Sequence, residues 1–525
     1  MKLSSGIEHS PASRLTGPIS AAFLLVLTST AHAQGDGDWP MWGRDETRNM
    51  SSPETGLPAD FVAGDYIGVT DEIDVTTTEN VKWIAKLGSQ SYGNPTVSGG
   101  LIFVGTNNDT PRDERYQGDR CCVYCFKEDT GEYLWQLNIP KLGTGKVSDW
   151  EFLGICSSPS VEGDRIYLVT NRCEVMCLDV NGMADGNDGP FQEEAAYMAG
   201  KGKPAGELTS TDADIIWSMN MIDECGVFPH NITTSSVLIA GDMLWVTSSN
   251  GVDYGHVETP APNAPSLLLV DKKTGELVAE EASGLSSRIF HSNWSSPTYL
   301  RTEKDELCIF GGPDGICYAF TPDPVEDDDG WMLLEEAWRF DCNPAEYRMK
   351  DGEPITYTHR LGPSEILGTP ITYDGLVYAL IGQDPEHGEG VGNLTCLDPS
   401  GKEVWSYRKI HRSLSTMAAS DGLLYAADFS GFIYCLDAKT GEEYWVHDTM
   451  AHIWASPLVA DGRVYIGNED GYMTIIPATK EYDKKAVKEI DMVAPVYSSA
   501  IAANGVLYVA THTHLFAIAA EKSDG

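Results

Sequence analysis

Gly422-Leu-Leu-Tyr425-Ala-Ala-Asp428-Phe-Ser-Gly431-Phe-Ile-Tyr-Cys435-Leu-Asp437-Ala-Lys-Thr440-Gly441-Glu-Glu-Tyr-Trp445 is the clearest copy of a unit that recurs eight times after residue 90. Each copy reads as an apolar strand, a tight turn, a second apolar strand, a Gly-marked bend and a third strand. In the best copies the third strand ends in Leu-Asp, followed by Thr-Gly and a Trp. A unit repeated in this way does not bury its own apolar face and needs a neighbour on each side. Some copies also open with Ser-Pro, at Ser158-Pro159, Ser296-Pro297 and Ser456-Pro457.

The turns allow the copies to be counted. Gly99-Gly100, Gly163-Asp164, Gly241-Asp242, Asp374-Gly375, Asp421-Gly422, Asp461-Gly462 and Asn504-Gly505 each join two apolar stretches, and Lys304-Asp305 does so without a Gly. These residue types tolerate the positive φ that two-residue hairpins demand. Most hairpins lead to a fourth strand carrying Trp135, Trp217, Trp338, Trp405 or Trp445; Ala279 takes that place in the third copy, and the strand near Val487 has no Trp. The last copy, Ser498 to Ala519, has only three strands. A lone Trp-bearing strand, Asn80-Val-Lys-Trp83-Ile-Ala-Lys-Leu87, precedes the first hairpin. Pairing it with the last copy closes a ring and removes the exposed sheet edges. The expectation is an all-β, eight-bladed β-propeller of four-stranded antiparallel blades over 80–520, after an extension at 34–79 and before a tail at 521–525.

Leu436-Asp437-Ala438-Lys439-Thr440-Gly441-x-x-x-Trp445 resembles the tryptophan-docking repeat of quinoprotein-type (PQQ-like) propellers, with looser matches at Lys127–Trp135 and Asp398–Trp405. Asp271-Lys-Lys-Thr274-Gly275 keeps the turn and lacks the Trp. Asp38-Trp39-Pro40-Met-Trp42-Gly43-Arg44 is similar to the lead-in of exported members. The family contains quinone-dependent dehydrogenases and non-enzymatic scaffolds, so the resemblance implies a fold more than an activity.

Residues 1–33 read as a secretory leader, with an uncleaved anchor as the alternative. Lys2 and Arg14 precede an apolar run from Ile19 to Leu27, and Ala31-His32-Ala33 offers a cleavage site. No later stretch is long and apolar enough to span a bilayer, so a periplasmic or secreted protein is expected. The formal net charge is −42; losing Lys2, Arg14 and Glu8 makes it one unit more negative. So acidic a chain excludes nucleic acid as a partner. Of the twelve cysteines, Cys125, Cys177, Cys396 and Cys435 share one repeat position, held elsewhere by Ala319 and Ala517. That pattern reads as a small buried strand position. Cys121, Cys122, Cys156, Cys173, Cys225, Cys308, Cys317 and Cys342 remain candidates for pairing.

Strand alternation puts the blade-to-blade connections and the second-to-third-strand loops on one face. Long insertions fall there at Asn107–Asp119, Asn250–Pro265 and Gln383–Gly392. The connections carry Trp150, His230-Asn231, His291-Ser-Asn293-Trp294 and His452-Ile-Trp454, each just before an innermost strand. Such residues point at the mouth of the channel and either line a ligand pocket or lock neighbouring blades together. Asp384, Glu386, His387 and Glu389 form the densest ionisable run, with Asp253 and His256 as expected neighbours. They read either as donors for Ca²⁺ or another divalent ion, or as a solvated acidic loop.

A dehydrogenase of the family would require PQQ and Ca²⁺, an aromatic floor and an Asp base. Cys121-Cys122 resembles the family's adjacent cysteines but opens a third strand, whereas the family's pair precedes an inner hairpin. No Cys-x-x-Cys-His occurs, which argues against covalent haem. The reading favoured is an exported propeller that binds a partner protein or small-molecule ligand at its channel mouth; the alternative is a PQQ- and Ca²⁺-dependent dehydrogenase of alcohols or sugars.

Overall fold

A computed structural model describes residues 35–520 apart from Thr356, Gly388 and the side chain of His387. The expected leader at 1–33 and the tail at 521–525 lie outside the described residues. Eight blades follow one another in the described chain. Blade 6 shows the plan, with antiparallel strands Ala418–Ser420, Leu423–Ala427, Phe432–Asp437 and Glu443–Asp448 running from the channel outward. In blade 8, Val81–Lys86 pairs antiparallel with His514–Ile518, with Trp83 opposite Ala517. The ring is closed as the lone early strand requires. Blade 3 departs from the plan. Its outer strand Leu277–Glu281 gains a parallel neighbour, Met332–Leu334, which leads to Val325–Glu326.

The Trp and Thr-Gly elements of the repeat belong to adjacent blades. Trp83 donates its indole N–H to the Glu128 carbonyl, Trp135 to Val180, Trp217 to Lys272, Trp338 to Pro399, Trp405 to Ala438 and Trp445 to Thr479, at 2.8–3.2 Å. In each case the acceptor lies in the outer turn of the following blade. In five of the six, all but the turn that receives Trp445, a glycine of that turn sits against the indole: a Cβ on Gly441 would lie 2.6 Å from the Trp405 ring, and φ there is +72°. Only glycine meets both conditions.

The position shared by Cys and Ala lies directly across the ladder from the Trp. Cys125 faces Trp135, Cys177 faces Trp217, Ala319 faces Trp338, Cys396 faces Trp405 and Cys435 faces Trp445. A small residue there makes room for the indole. Blade 3 reverses the sizes and sets Leu269 opposite Ala279. All twelve cysteines are free, ten of them buried. This corrects the expected candidates for pairing: Cys308 and Cys317, for example, sit on adjacent strands but face Phe320 and Gly311, not each other.

The extension, expected only to precede the propeller, is part of its interior. Trp39 bridges to Val97, Val161 donates to the Pro40 carbonyl, and Tyr299 donates to Glu46. Thr372 donates to Thr47, Met50 to Met417, Ser52 to Val459, and the Ser52 hydroxyl to Ala502. Arg48 is fully buried and reaches Ser236, so residues 39–52 touch the innermost strand, or its approach, in all eight blades. These bonds fall on the middle of the inner strands, or in blades 3 and 6 just before them, and run the extension across the channel.

Candidate functional site

Above that crossing lies a cavity of about 530 Å³. Its wall is periodic. Just before each innermost strand comes a short side chain, and seven of the eight line the cavity: Asn94, Ser236, Ser296, Thr369, Thr416, Ser456 and Ser499. Ser158 is the eighth member of the set. They join into a belt. Ser158 N–H donates to Ser236 Oγ, Ser236 to Ser296, Thr369 to Thr416, Thr416 to Ser456, Ser456 to Ser499, and Ser499 to Asn94 Oδ1, at 2.6–3.1 Å. Asn94 Nδ2 then reaches Ser158 Oγ at 3.3 Å. The Ser296–Thr369 junction is crossed one residue earlier, by Ser295 Oγ donating to the Gly368 carbonyl.

Two residues before each belt member stands a larger side chain, and all eight of these line the cavity: Tyr92, Cys156, Thr234, Trp294, Leu367, Leu414, Trp454 and Tyr497. Trp454 stacks on Tyr497 with centroids 5.2 Å apart and planes 20° from parallel. Tyr92 packs on both at 6.4 and 5.3 Å. Trp42, from the N-terminal extension, also lines the cavity. Its indole N–H donates to the Thr369 hydroxyl at 3.2 Å, which places Trp42 as the floor.

The sequence candidates divide into three groups. Trp150, Asn231, Trp294, Trp454, Asp384 and Glu386 line the cavity. Lys146 lies over the Trp150 ring at 4.2 Å, and Glu386 N–H caps Asp384. His230, His256 and His291 meet beside the cavity: His256 Nε2 is 3.1 Å from His230 Nε2 and 3.2 Å from His291 Nε2. His256 thus stands with the two connection histidines, where the sequence reading grouped it with the acidic run. The third group lies outside both. Asp253 accepts from Val257 and Glu258 N–H groups, which hold its carboxyl below the usual range. Glu389 pairs with Arg360 on the surface. His452 stacks on Phe429 at 4.4 Å. Asn293 is buried, with no hydrogen bond to its carboxamide among the described residues. The side chain of His387 is outside the described residues.

The electrostatics of the cavity are one-sided. Asp384 and Glu386 contribute carboxylates, and no Lys or Arg lines it among the described residues. Behind it the fully buried Glu365 has its carboxyl pushed well up, first by burial and then by Asp384. The PQQ implied by the family resemblance is a polycarboxylate, and this lining offers it no cationic side chain. Cys121 and Cys122 are buried in blade 1 and do not line the cavity. The lining therefore does not fit PQQ. It fits an uncharged or cationic ligand, held by aromatic faces and oxygen acceptors.

Tyr92, Tyr497, Trp42 and the belt are absent from the sequence candidates. The signal was present: Tyr92-Gly-Asn94, Trp294-Ser-Ser296, Trp454-Ala-Ser456 and Tyr497-Ser-Ser499 are one motif at one repeat position.

Comparison with known proteins bears on the fold. The family profile described as outer membrane protein assembly factor BamB matches residues 390–518. BamB of Moranella endobia is 32% identical over 286 residues, which span 51% of this chain and 69% of that protein. Quinoprotein alcohol dehydrogenase PedH of Pseudomonas putida is 27% identical over 164 residues, 28% of each chain. Among solved structures, BamB from Moraxella catarrhalis matches with TM-score 0.50 at 13% identity, over 85% of this chain and 98% of that one. A europium-containing methanol dehydrogenase matches with TM-score 0.54 at 13% identity, over 90% and 89%.

Proposed function

Because this chain belongs to the PQQ-like β-propeller family that includes BamB, we propose that it is an exported binding protein whose channel mouth holds an uncharged, hydroxyl-rich ligand or a partner segment of that character. One observation carries this reading: the cavity combines Tyr92, Trp294, Trp454 and Tyr497 with a belt of hydroxyls and two carboxylates, and no basic side chain lines it among the described residues. Aromatic faces take the C–H faces of such a ligand, and Asp384 and Glu386 accept from its hydroxyls. No helix among the described residues is long and apolar enough to cross a membrane.

Titration calorimetry against neutral mono- and oligosaccharides, with Trp454→Ala and Glu386→Ala beside the parent, tests it. Saturable binding weakened at least about tenfold by each variant supports the reading. Binding that ignores both variants, or none across the panel, counts against it. The second reading, a PQQ- and Ca²⁺-dependent dehydrogenase, has in its favour only Asp384, Glu386 and the Asn231 carboxamide as oxygen donors for Ca²⁺, and the lack of a cationic side chain in the lining among the described residues weighs against its quinone. Dye reduction by protein supplied with PQQ, Ca²⁺ and a panel of alcohols would establish that reading and displace the first.

A further inference from the structure

The cluster of His230, His256 and His291 has the geometry of a ligand set for a transition metal. His230 comes from the connection into blade 3, His256 from the long loop of blade 3, and His291 from the connection out of it. Three successive loops around blade 3 therefore deliver three like nitrogens to one point. The Nε2 separations of 3.1 and 3.2 Å are close to the roughly 3.4 Å that two nitrogens adopt on a tetrahedral ion with bonds of about 2.05 Å. One ring nitrogen of each histidine lies within 4.8 Å of the others, so a small closing movement completes the set.

The surroundings agree. His230 Nδ1 is 2.7 Å from the Val252 carbonyl. A carbonyl only accepts, so the proton sits on Nδ1 and the Nε2 lone pair faces the cluster, the orientation that metal-bound histidines take from their outer partners. The cluster is one side chain from the cavity: Asn231 and Trp294 both line it, Asn231 Nδ2 is 3.4 Å from His291 Nε2, and the Trp294 ring packs on His291 at 4.8 Å.

We propose that His230, His256 and His291 bind a divalent transition-metal ion of the Zn²⁺ class beside the channel cavity, leaving its remaining coordination position for water or an oxygen of a bound ligand. Three imidazoles select against Ca²⁺ and Mg²⁺, which take oxygen donors. Metal binding by the three imidazoles does not require that the cavity's ligand be the one proposed above.

The test uses the full chain stripped with a chelator and dialysed. Calorimetry with ZnCl₂, and the visible spectrum of the Co²⁺ adduct, are recorded for the parent, for His256→Ala and for His411→Ala, a half-exposed imidazole paired with Asp428 elsewhere on the ring. The expected result is about one equivalent of Zn²⁺ and an intense four-coordinate Co²⁺ spectrum, both unaffected by Ca²⁺ and by His411→Ala. His256→Ala should weaken Zn²⁺ by about 100-fold or more and abolish the Co²⁺ bands. His256 lies on a partly exposed loop, so this variant should fold, and its far-ultraviolet circular dichroism checks that. No stoichiometric Zn²⁺ binding by the parent, or binding and spectrum retained in a folded His256→Ala, would overturn the proposal.

Discussion

Trp42 and Thr369, separated by 327 residues, are joined by an indole-to-hydroxyl hydrogen bond of 3.2 Å. This bond ties the N-terminal extension to the belt of blade 5 and turns an open channel into a cup. The same extension carries Arg48, whose guanidinium donates to the carbonyls of Pro297, Trp42 and Ser236 at 2.8–2.9 Å. Burial pulls its pKa down to about 9, a measure of how little water reaches it.

Arg48→Ala should therefore be among the most destabilising single substitutions. It strands three buried carbonyls and removes a group that links blades 3 and 4 through the extension. The expected loss is about 3–5 kcal/mol, read as a lower thermal midpoint. Arg48→Lys should recover only part of it, because an ammonium does not reproduce the planar fork. A midpoint unchanged within error in Arg48→Ala would show that the extension does not brace the ring.

Two glycines of the same repeat should respond differently to alanine. Gly441 and Gly422 have nearly equal φ, +72° and +76°, but the new Cβ meets the Trp405 ring at 2.6 Å in the first and nothing within 4 Å in the second. Gly422→Ala should cost about 1–2 kcal/mol from the left-handed backbone alone. Gly441→Ala should cost at least about 2 kcal/mol more, since the indole must move out of its dock. Equal losses in urea unfolding would mean that the Trp–Gly contact contributes nothing beyond local conformation.

The repeat made the ring legible because its signals are local: turn residues, alternating apolar runs and a Trp at a fixed offset. Even the closure through Trp83 could be read, since one strand was in excess and one copy was short. The cavity was less legible. Trp150, Asn231, Trp294 and Trp454 stand out by residue type, but Ser236, Ser456 and Ser499 look ordinary until the ring sets them side by side. The histidine cluster was hidden for another reason: His256 lies in a long insertion whose path over blade 3 is not encoded by the repeat, and only the folded loop brings it beside His230 and His291.

Blade 3 offers a test of size matching across the ladder. Leu269 faces Ala279 where six other blades set Cys or Ala against Trp. Ala279→Trp alone should destabilise by about 1–3 kcal/mol through overpacking. Adding Leu269→Ala should recover at least about 1 kcal/mol of that, a coupling that a double-mutant cycle measures directly. Strict additivity would show that the two positions do not share one volume.

His514 supplies a pH signature. It is 3% exposed on the strand that pairs with Val81–Lys86, and burial, helped by Lys86, pulls its pKa from 6.5 to about 4. The folded protein thus holds it neutral where the unfolded chain takes up a proton. Its contribution is complete above about pH 6.5, falls as the pH drops toward 4, and is fully lost below the folded pKa. Buried acids such as Asp179 and Asp214, raised to about 6 by burial, act in the opposite direction, so the total stability is a poor readout. The difference between the parent and His514→Asn removes those common terms. That difference should shift against the parent by about 1–3 kcal/mol between pH 7 and pH 4; a difference independent of pH would mean that His514 is not held neutral by the closing strand.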